Sequence, residues 1–278
     1  MALSHQRTYL MHAMLGIAAA HLSEAAAQAQ DVSQATQYRK TELHHWHHAL
    51  RLYRAELSNE LAPDHVDSLI TTCMLLVIHS FYMSDPNEKS FVNATASQQQ
   101  STPRWLVMIL GFRLVLRHIE RYITVSAWFE VFNTAAPARD GWTSHLEKLS
   151  DIHADFLDLC DITESNKHLP NIYKDALWLL FPILQVEQLS MRDLPQLMAF
   201  MGRLSGPFVQ LLTIRDSRAL IIMLYWLVLL NSLGLWWVKV RAAHEAQAIL
   251  GYLQMHHDER IQKMLVMPRI AFGSSSAY

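Results

Sequence analysis

The stretch Arg215–Arg241, RDSRALIIMLYWLVLLNSLGLWWVKVR, constrains this chain more than any other. From Ala219 to Val238 it holds no charged residue, and Asn231 and Ser232 are its only clearly polar side chains. A run of this length is either a membrane span or the buried central helix of a large α-domain. No second stretch has the character of a span, so the buried helix is the expectation. Asp216 and Ser217 are helix-start signals, and Lys239 and Arg241 suit a C-terminal end. On one continuous helix Asn231, Leu235 and Lys239 drift only about 40° per step. An amide, a shape-determining apolar side chain and an ammonium would then share one shallow spiral. Buried lysines are rare unless paired, so Lys239, beside Trp236 and Trp237, asks for an anion.

Composition narrows the rest. The 278 residues are 51% hydrophobic and 17% charged, with 8 glycines and 9 prolines, which means a generous core and few turns. That combination predicts an all-α fold over 1–278, one multi-helix domain around a central apolar cavity. A net charge of −2 gives no electrostatic case for nucleic acid, which needs a concentrated basic surface. Cys73 and Cys160, the only cysteines, support neither a zinc cluster nor a disulfide framework. The N-terminal MALSHQRTYLMHAMLGIAAAHLS has some signal-peptide character, but it keeps helical periodicity, lacks a compact basic region and contains histidines. A core helix and a cytoplasmic chain are expected, with no membrane span and with a homodimer admissible.

In chain order, helices are expected over 6–24 and 31–59, joined by a polar link near Gln30 and Asp31. In the second, His44 and His48 stand at the i,i+4 spacing that lets two imidazoles share a metal. No third ligand is evident from sequence, so a solvated or packed face is preferred. A third helix spans Asp64–Met83, with His65, Thr72 and His79 in a heptad-spaced polar line; His79 is either a hydrogen-bonded core histidine or a pocket residue. The shift to SDPNEKSFVNATASQQQSTP predicts a mobile loop over 84–103. On the helix from Arg104 to Tyr122, Arg113 and Arg117 could hold a diphosphate, or Arg117 could pair with Glu120. A short helix near Ala127–Phe132 and a turn at Pro137–Gly141 follow.

In LEKLSDIHADFLDLCDITE, Leu149, Ile152, Phe156 and Leu159 share a face, and Asp151, Asp155, Asp158 and Asp161 recur beside it. Such carboxylates can hold Mg²⁺ together with a substrate's phosphate oxygens, or they form a solvated stripe. Asp155 flanks the apolar face and is the best placed. Helices over 170–190 and 193–204, a break at Gly206–Pro207, the central run, a last helix over 243–256 and a frayed tail over 272–278 complete the expectation.

Several landmarks resemble the C-terminal regulatory domain of fungal zinc-cluster transcription factors of the sterol-uptake-control type. They are LMHAMLGIAAAHLS, HHALRLYRAEL, WLVMILGFRLVL, YKDALWLL and FVQLLTIRDSRALIIMLYWLVLLNSLGLWW, with Met267-Pro268 similar to that family's closing tryptophan–proline corner. The similarity implies an all-α domain enclosing a sterol-sized cavity, although this chain lacks the zinc cluster. It looks still more like a small group of fungal enzymes built on that domain, the non-canonical humulene synthases of tropolone-sesquiterpenoid pathways. Those enzymes cyclise farnesyl diphosphate with Mg²⁺ and depend on a lysine. Lys239 after Trp236-Trp237 looks like that lysine, and Leu235 matches the position that shapes product double-bond geometry. The resemblance implies an Mg²⁺-dependent sesquiterpene cyclase with Lys239 catalytic. Leu235, Trp236, Tyr225, Ser232, Arg113, Arg117 and His79 would line the substrate, and Asn231, Asp155 and Asp158 would serve the metal. Trp226, Trp237 and Phe81 could add aromatic faces for a carbocation. The alternative is a non-enzymatic sterol- or lipid-binding regulatory domain.

Overall fold

In the computed structural model, which describes residues 7–82, 90, 92, 104–134 and 151–273, every regular element is helical. By their contacts the described helices group into two compact units. Unit 1 comprises Met1–Tyr82 and Arg104–Glu130, and unit 2 comprises Met83–Pro103 and Val131–Tyr278. The expectations for 84–103 (Ser90 and Val92 apart), Pro137–Gly141, Leu149 and the tail beyond Gly273 lie outside the described residues.

Unit 1 is built on a helical hairpin. Helix α1, Thr8–Gln28, packs along α2, Val32–Leu57, and then against α3, Val66–Phe81. The buried side of α1 is made of small residues (Ala13, Gly16, Ala19, Ala20, Ser23), so α2 approaches closely. At Gly16 an added Cβ would stand 3.0 Å from the Trp46 indole, a contact that excludes any larger side chain without movement of the ring. The link expected near Gln30 and Asp31 is a tight turn. Gln30 adopts φ 61, and the Asp31 and Gln30 amides close back on the Ala26 and Ala27 carbonyls. Asp31 then caps α2 by accepting from the Gln34 amide at 2.9 Å. A single 3₁₀ turn, Pro63–His65, leads into α3, and α4, Arg104–His118, packs on α3 through the Phe81–Trp105 edge contact. The expected extension of α4 to Tyr122 is a 3₁₀ segment, Glu120–Val125, followed by α5, Phe129–Thr134.

Unit 2 surrounds the apolar run that the sequence singled out. Its helices are α6 (Asp151–Leu159), α7 (Lys174–Leu184), α8 (Leu194–Arg203), α9 (Gly206–Thr213), α10 (Ser217–Ser232), α11 (Trp236–Leu253), α12 (Glu259–Met264) and α13 (Val266–Gly273). Every residue of α10 from Ala219 to Leu227 is buried, as a helix apolar all round requires, and it packs against α7, α8, α9, α11, α12 and α13. The Trp226 indole donates to the Leu197 carbonyl at 2.8 Å, and the Tyr225 hydroxyl donates to the Met264 carbonyl at 3.1 Å, so both polar tips are satisfied inside the core. No described helix is long and apolar enough to cross a membrane.

Two boundaries correct the sequence reading. Gly206–Pro207 opens a helix where a break was expected: Ser205 caps α9 through the Phe208 amide, and Pro207 occupies the first turn, where its missing N–H costs nothing. The run Arg215–Arg241 is two helices, divided at Leu233–Leu235, and the helix expected over 243–256 is the continuation of the second. Met267-Pro268 falls in the first turn of α13.

Candidate functional site

The division of the apolar run creates the arrangement of interest. Helix α10 starts as expected, with Asp216 accepting from the Ala219 amide at 2.9 Å. It ends in a left-handed turn at Gly234, φ 65, whose amide donates to the Asn231 carbonyl at 3.0 Å. Leu235 is then the first, non-helical residue of α11 and offers no side-chain cap. Asn231 and Lys239 therefore lie on different helices, and the shared spiral does not exist. Lys239 is exposed, and it sits in the first turn of α11 where a C-terminal location was expected. The argument from a buried lysine is overturned, and another replaces it. A helix N-terminus carries roughly half a positive charge; at this one the capping position is apolar and the next turn adds an ammonium. No side-chain carboxylate caps this helix start.

Around that end the candidates divide. Asn231, Leu235 and Trp236 are half-buried, and Ser232 is exposed with its hydroxyl turned back to the Leu229 carbonyl at 2.7 Å. Trp237 and Val238 are buried beneath them. Tyr225 belongs to the interior of unit 2: its ring meets Phe156 edge-on at 4.9 Å, and burial pushes its phenol well above the ordinary value.

The acidic stripe is held by basic residues. Lys263 on α12 donates to Asp155 at 2.5 Å, and that hydrogen bond raises the lysine's pKa. Asp161, at φ 54 just beyond α6, takes Arg260 at 2.9 Å and Arg218 at 2.5 Å; the Arg260 hydrogen bond is the main reason its carboxyl lies below the usual range. Asp151 and Asp158 are exposed. Among the described residues no three His, Cys, Asp or Glu side chains converge so as to hold a metal ion.

Arg113, Arg117 and His79 belong to unit 1. Arg113 is half-buried and Arg117 exposed on α4, while Glu120 lies past the helix end, so the i,i+3 geometry expected for an Arg117–Glu120 pair is not formed. His79 takes the core role: its Nε2 meets Glu42 at 2.6 Å, and its ring lies 4.2 Å from that of Trp46. Glu42 is fully buried and also receives Arg39 at 2.6 Å. Of the rest of the polar line, His65 pairs with Glu56, and the Thr72 hydroxyl is buried without a hydrogen-bond partner.

Sequence reasoning missed several charged or polar interior residues. Arg241, taken as a helix-end cation, is 2% exposed on α11 and lies 3.8 Å from buried Glu245, to which Ser90 donates at 2.5 Å. The signal was present: Val238, Arg241, Ala242, Glu245 and Ile249 recur at helical spacing, and the apolar members mark the buried face. His153 is buried on α6, edge-on to Phe181 at 4.6 Å, three residues before Phe156 on the same side. Comparison with protein families, with curated proteins and with solved structures finds no match for this chain.

Proposed function

We propose that the chain is a sesquiterpene cyclase that ionises farnesyl diphosphate and closes a humulene-type macrocyclic hydrocarbon, with the diphosphate received at the N-terminal end of α11. One observation carries the reading beyond the sequence resemblance. An apolar residue, Leu235, stands at the capping position of a helix whose first turn contains Lys239. A helix N-terminus carries partial positive charge and turns its first amides outward, so an anion can be received there beside the ammonium. Ionisation breaks the allylic carbon–oxygen bond, and the electron pair leaves with the diphosphate. Lys239 and the oriented peptide dipoles of α11 stabilise that developing charge. The isoprenoid chain is taken up in the apolar interior of unit 2, with half-buried Leu235 shaping its first carbons and Trp236 offering a π face to the cation. Ring closure followed by loss of a proton gives the hydrocarbon.

Magnesium is the expected partner of such a leaving group, and the stripe does not fit it as it stands, because the Asp155 carboxylate is engaged by Lys263. The leaving-group charge is therefore assigned to Lys239 and the helix end alone. The same ion pairs favour a second reading, a lipid-binding domain without turnover, for which neutralised carboxylates are no obstacle. Purified protein incubated with farnesyl diphosphate, with Mg²⁺ or with chelator, and analysed by gas chromatography separates the two. Hydrocarbon release supports the cyclase; saturable binding of farnesyl diphosphate or sterol without product supports the binding domain.

A further inference from the structure

The fold of unit 1 supplies what the histidine-rich stretch of α2 lacks on its own. His12 of α1 stands against it, with its Nδ1 2.9 Å from the Nδ1 of His45. The His12 ring also stacks on that of His48 at 5.1 Å and 22°, and His44 lies 4.6 Å from His48. His12, His45 and His48 are half-buried, while His44 and His47 are exposed. Sequence spacing offered His44 and His48 as the pair; the tertiary contact brings His12 and His45 together instead.

We infer that His12 and His45 form a two-imidazole seat for a divalent transition metal, clipping α1 to α2. Two nitrogens 2.9 Å apart, each about 2.0–2.1 Å from an ion, subtend an angle of about 90°. That is the angle between adjacent ligands in tetragonal copper(II) or nickel(II) and is too narrow for tetrahedral zinc. Without metal, one Nδ1 donates to the other, so one imidazole carries its proton on Nδ1. On binding, that proton moves to Nε2 of the same ring, both Nδ1 lone pairs turn to the ion, and no net proton is released. Water fills the remaining positions. Arg51 beside His48 is the adjacent cation that the seat has to tolerate.

The test uses the untagged full chain titrated calorimetrically with copper(II) or nickel(II) chloride, with melting followed in parallel. One ion per chain is expected, together with a rise in Tm, because an ion bridging two helices binds only the folded state. His12→Gln and His45→Gln should each weaken binding at least about tenfold and remove the rise in Tm, whereas His47→Gln should change neither. Undiminished binding by His12→Gln would assign the ion to the imidazoles of α2 alone and overturn the inference, as would binding without stabilisation. Should a variant fail to fold, copper(II) electron paramagnetic resonance on the wild-type chain decides. Two or more coordinated imidazole nitrogens that persist in His44→Gln uphold the seat, and one or none, or loss of a nitrogen in His44→Gln, removes it.

Discussion

Three junctions between consecutive helices each turn on a left-handed residue and differ in the residue that follows it. Between α1 and α2, Gln30 takes a left-handed conformation at φ 61 and Asp31 follows as the cap; between α9 and α10, Arg215 at φ 60 is followed by Asp216. In both, the aspartate accepts from the amide three residues on, at 2.9 Å. Between α10 and α11 the left-handed residue is Gly234 at φ 65, and Leu235 stands where the other two turns have a carboxylate. The first two turns quench the positive end of the next helix and serve architecture. The third has no side-chain cap.

The comparison can be broken most directly at the third turn. Lys239→Ala should lower turnover of farnesyl diphosphate about a hundredfold or more, roughly 3 kcal/mol of transition-state stabilisation. Because Lys239 is exposed, the melting temperature should hardly move. Lys239→Arg should rescue only in part, since the planar head is bulkier. Leu235→Asp would make the third turn like the other two. It should cap α11 while repelling an anion, so activity should fall as far as in Lys239→Ala without a matching loss of stability. Equal activity in Leu235→Asp and wild type would detach the turn from function, and an unchanged product profile in Leu235→Met would remove Leu235 from the pocket.

Backbone changes come next. Gly234→Ala forces a side chain into the left-handed region and should destabilise by about 1–2 kcal/mol. Gln30→Gly relieves that strain at the first turn and should stabilise by up to about 1 kcal/mol. Urea melts giving the same sign for both would show that the turns are not equivalent. Cap removal should cost about 1 kcal/mol in Asp31→Ala and more in Asp216→Ala, which also loses the Tyr173 hydroxyl at 3.0 Å.

The smallest effect is a pH dependence at the α6 end, where the arginine-bound carboxylate of Asp161 has a lowered pKa in the folded state. Its contribution is present above the unfolded value of about 3.9 and is lost as the pH falls through the folded value. Asp161→Asn should therefore melt slightly below wild type between about pH 5 and 8, with the gap closing in stronger acid. A gap that widens on acidification would contradict the ion pairs with Arg260 and Arg218.

How much of this the sequence discloses depends on whether a signal is local. The all-helical class, the α1–α2 link at Gln30 and Asp31, and the Asp216 start rest on periodicity and capping chemistry, and they hold. The division at Gly234 was hidden because the apolar run continues without interruption on both sides of it. Leucines and tryptophans on both sides mask a turn whose Ser232 and Gly234 are exposed, and its marks were Asn231, Ser232 and one glycine. Lys239 was misplaced for the same reason, since the helix phase carried through from α10 ends at Leu233. The Asp155–Lys263 pair and the approach of His12 to His45 join residues far apart in the chain, which no spacing argument reaches.

The hairpin of α1 and α2, closed by the short turn at Ala29–Asp31, also sets an order of events for the nascent chain. Its contacts are close in sequence, so little loop entropy is lost in forming them, and helical pairs of this kind assemble quickly. It emerges before the helices that follow it and can zip before they are made. Unit 1 as a whole cannot finish then, because Met83–Pro103 belongs to unit 2 and Arg104–Glu130 comes after it. During synthesis the hairpin and α3 must therefore keep the face that receives α4 uncovered until that later segment arrives. The interval between the two pieces of unit 1 is the point in the chain's life at which a chaperone, or a second nascent copy, has the most to bind.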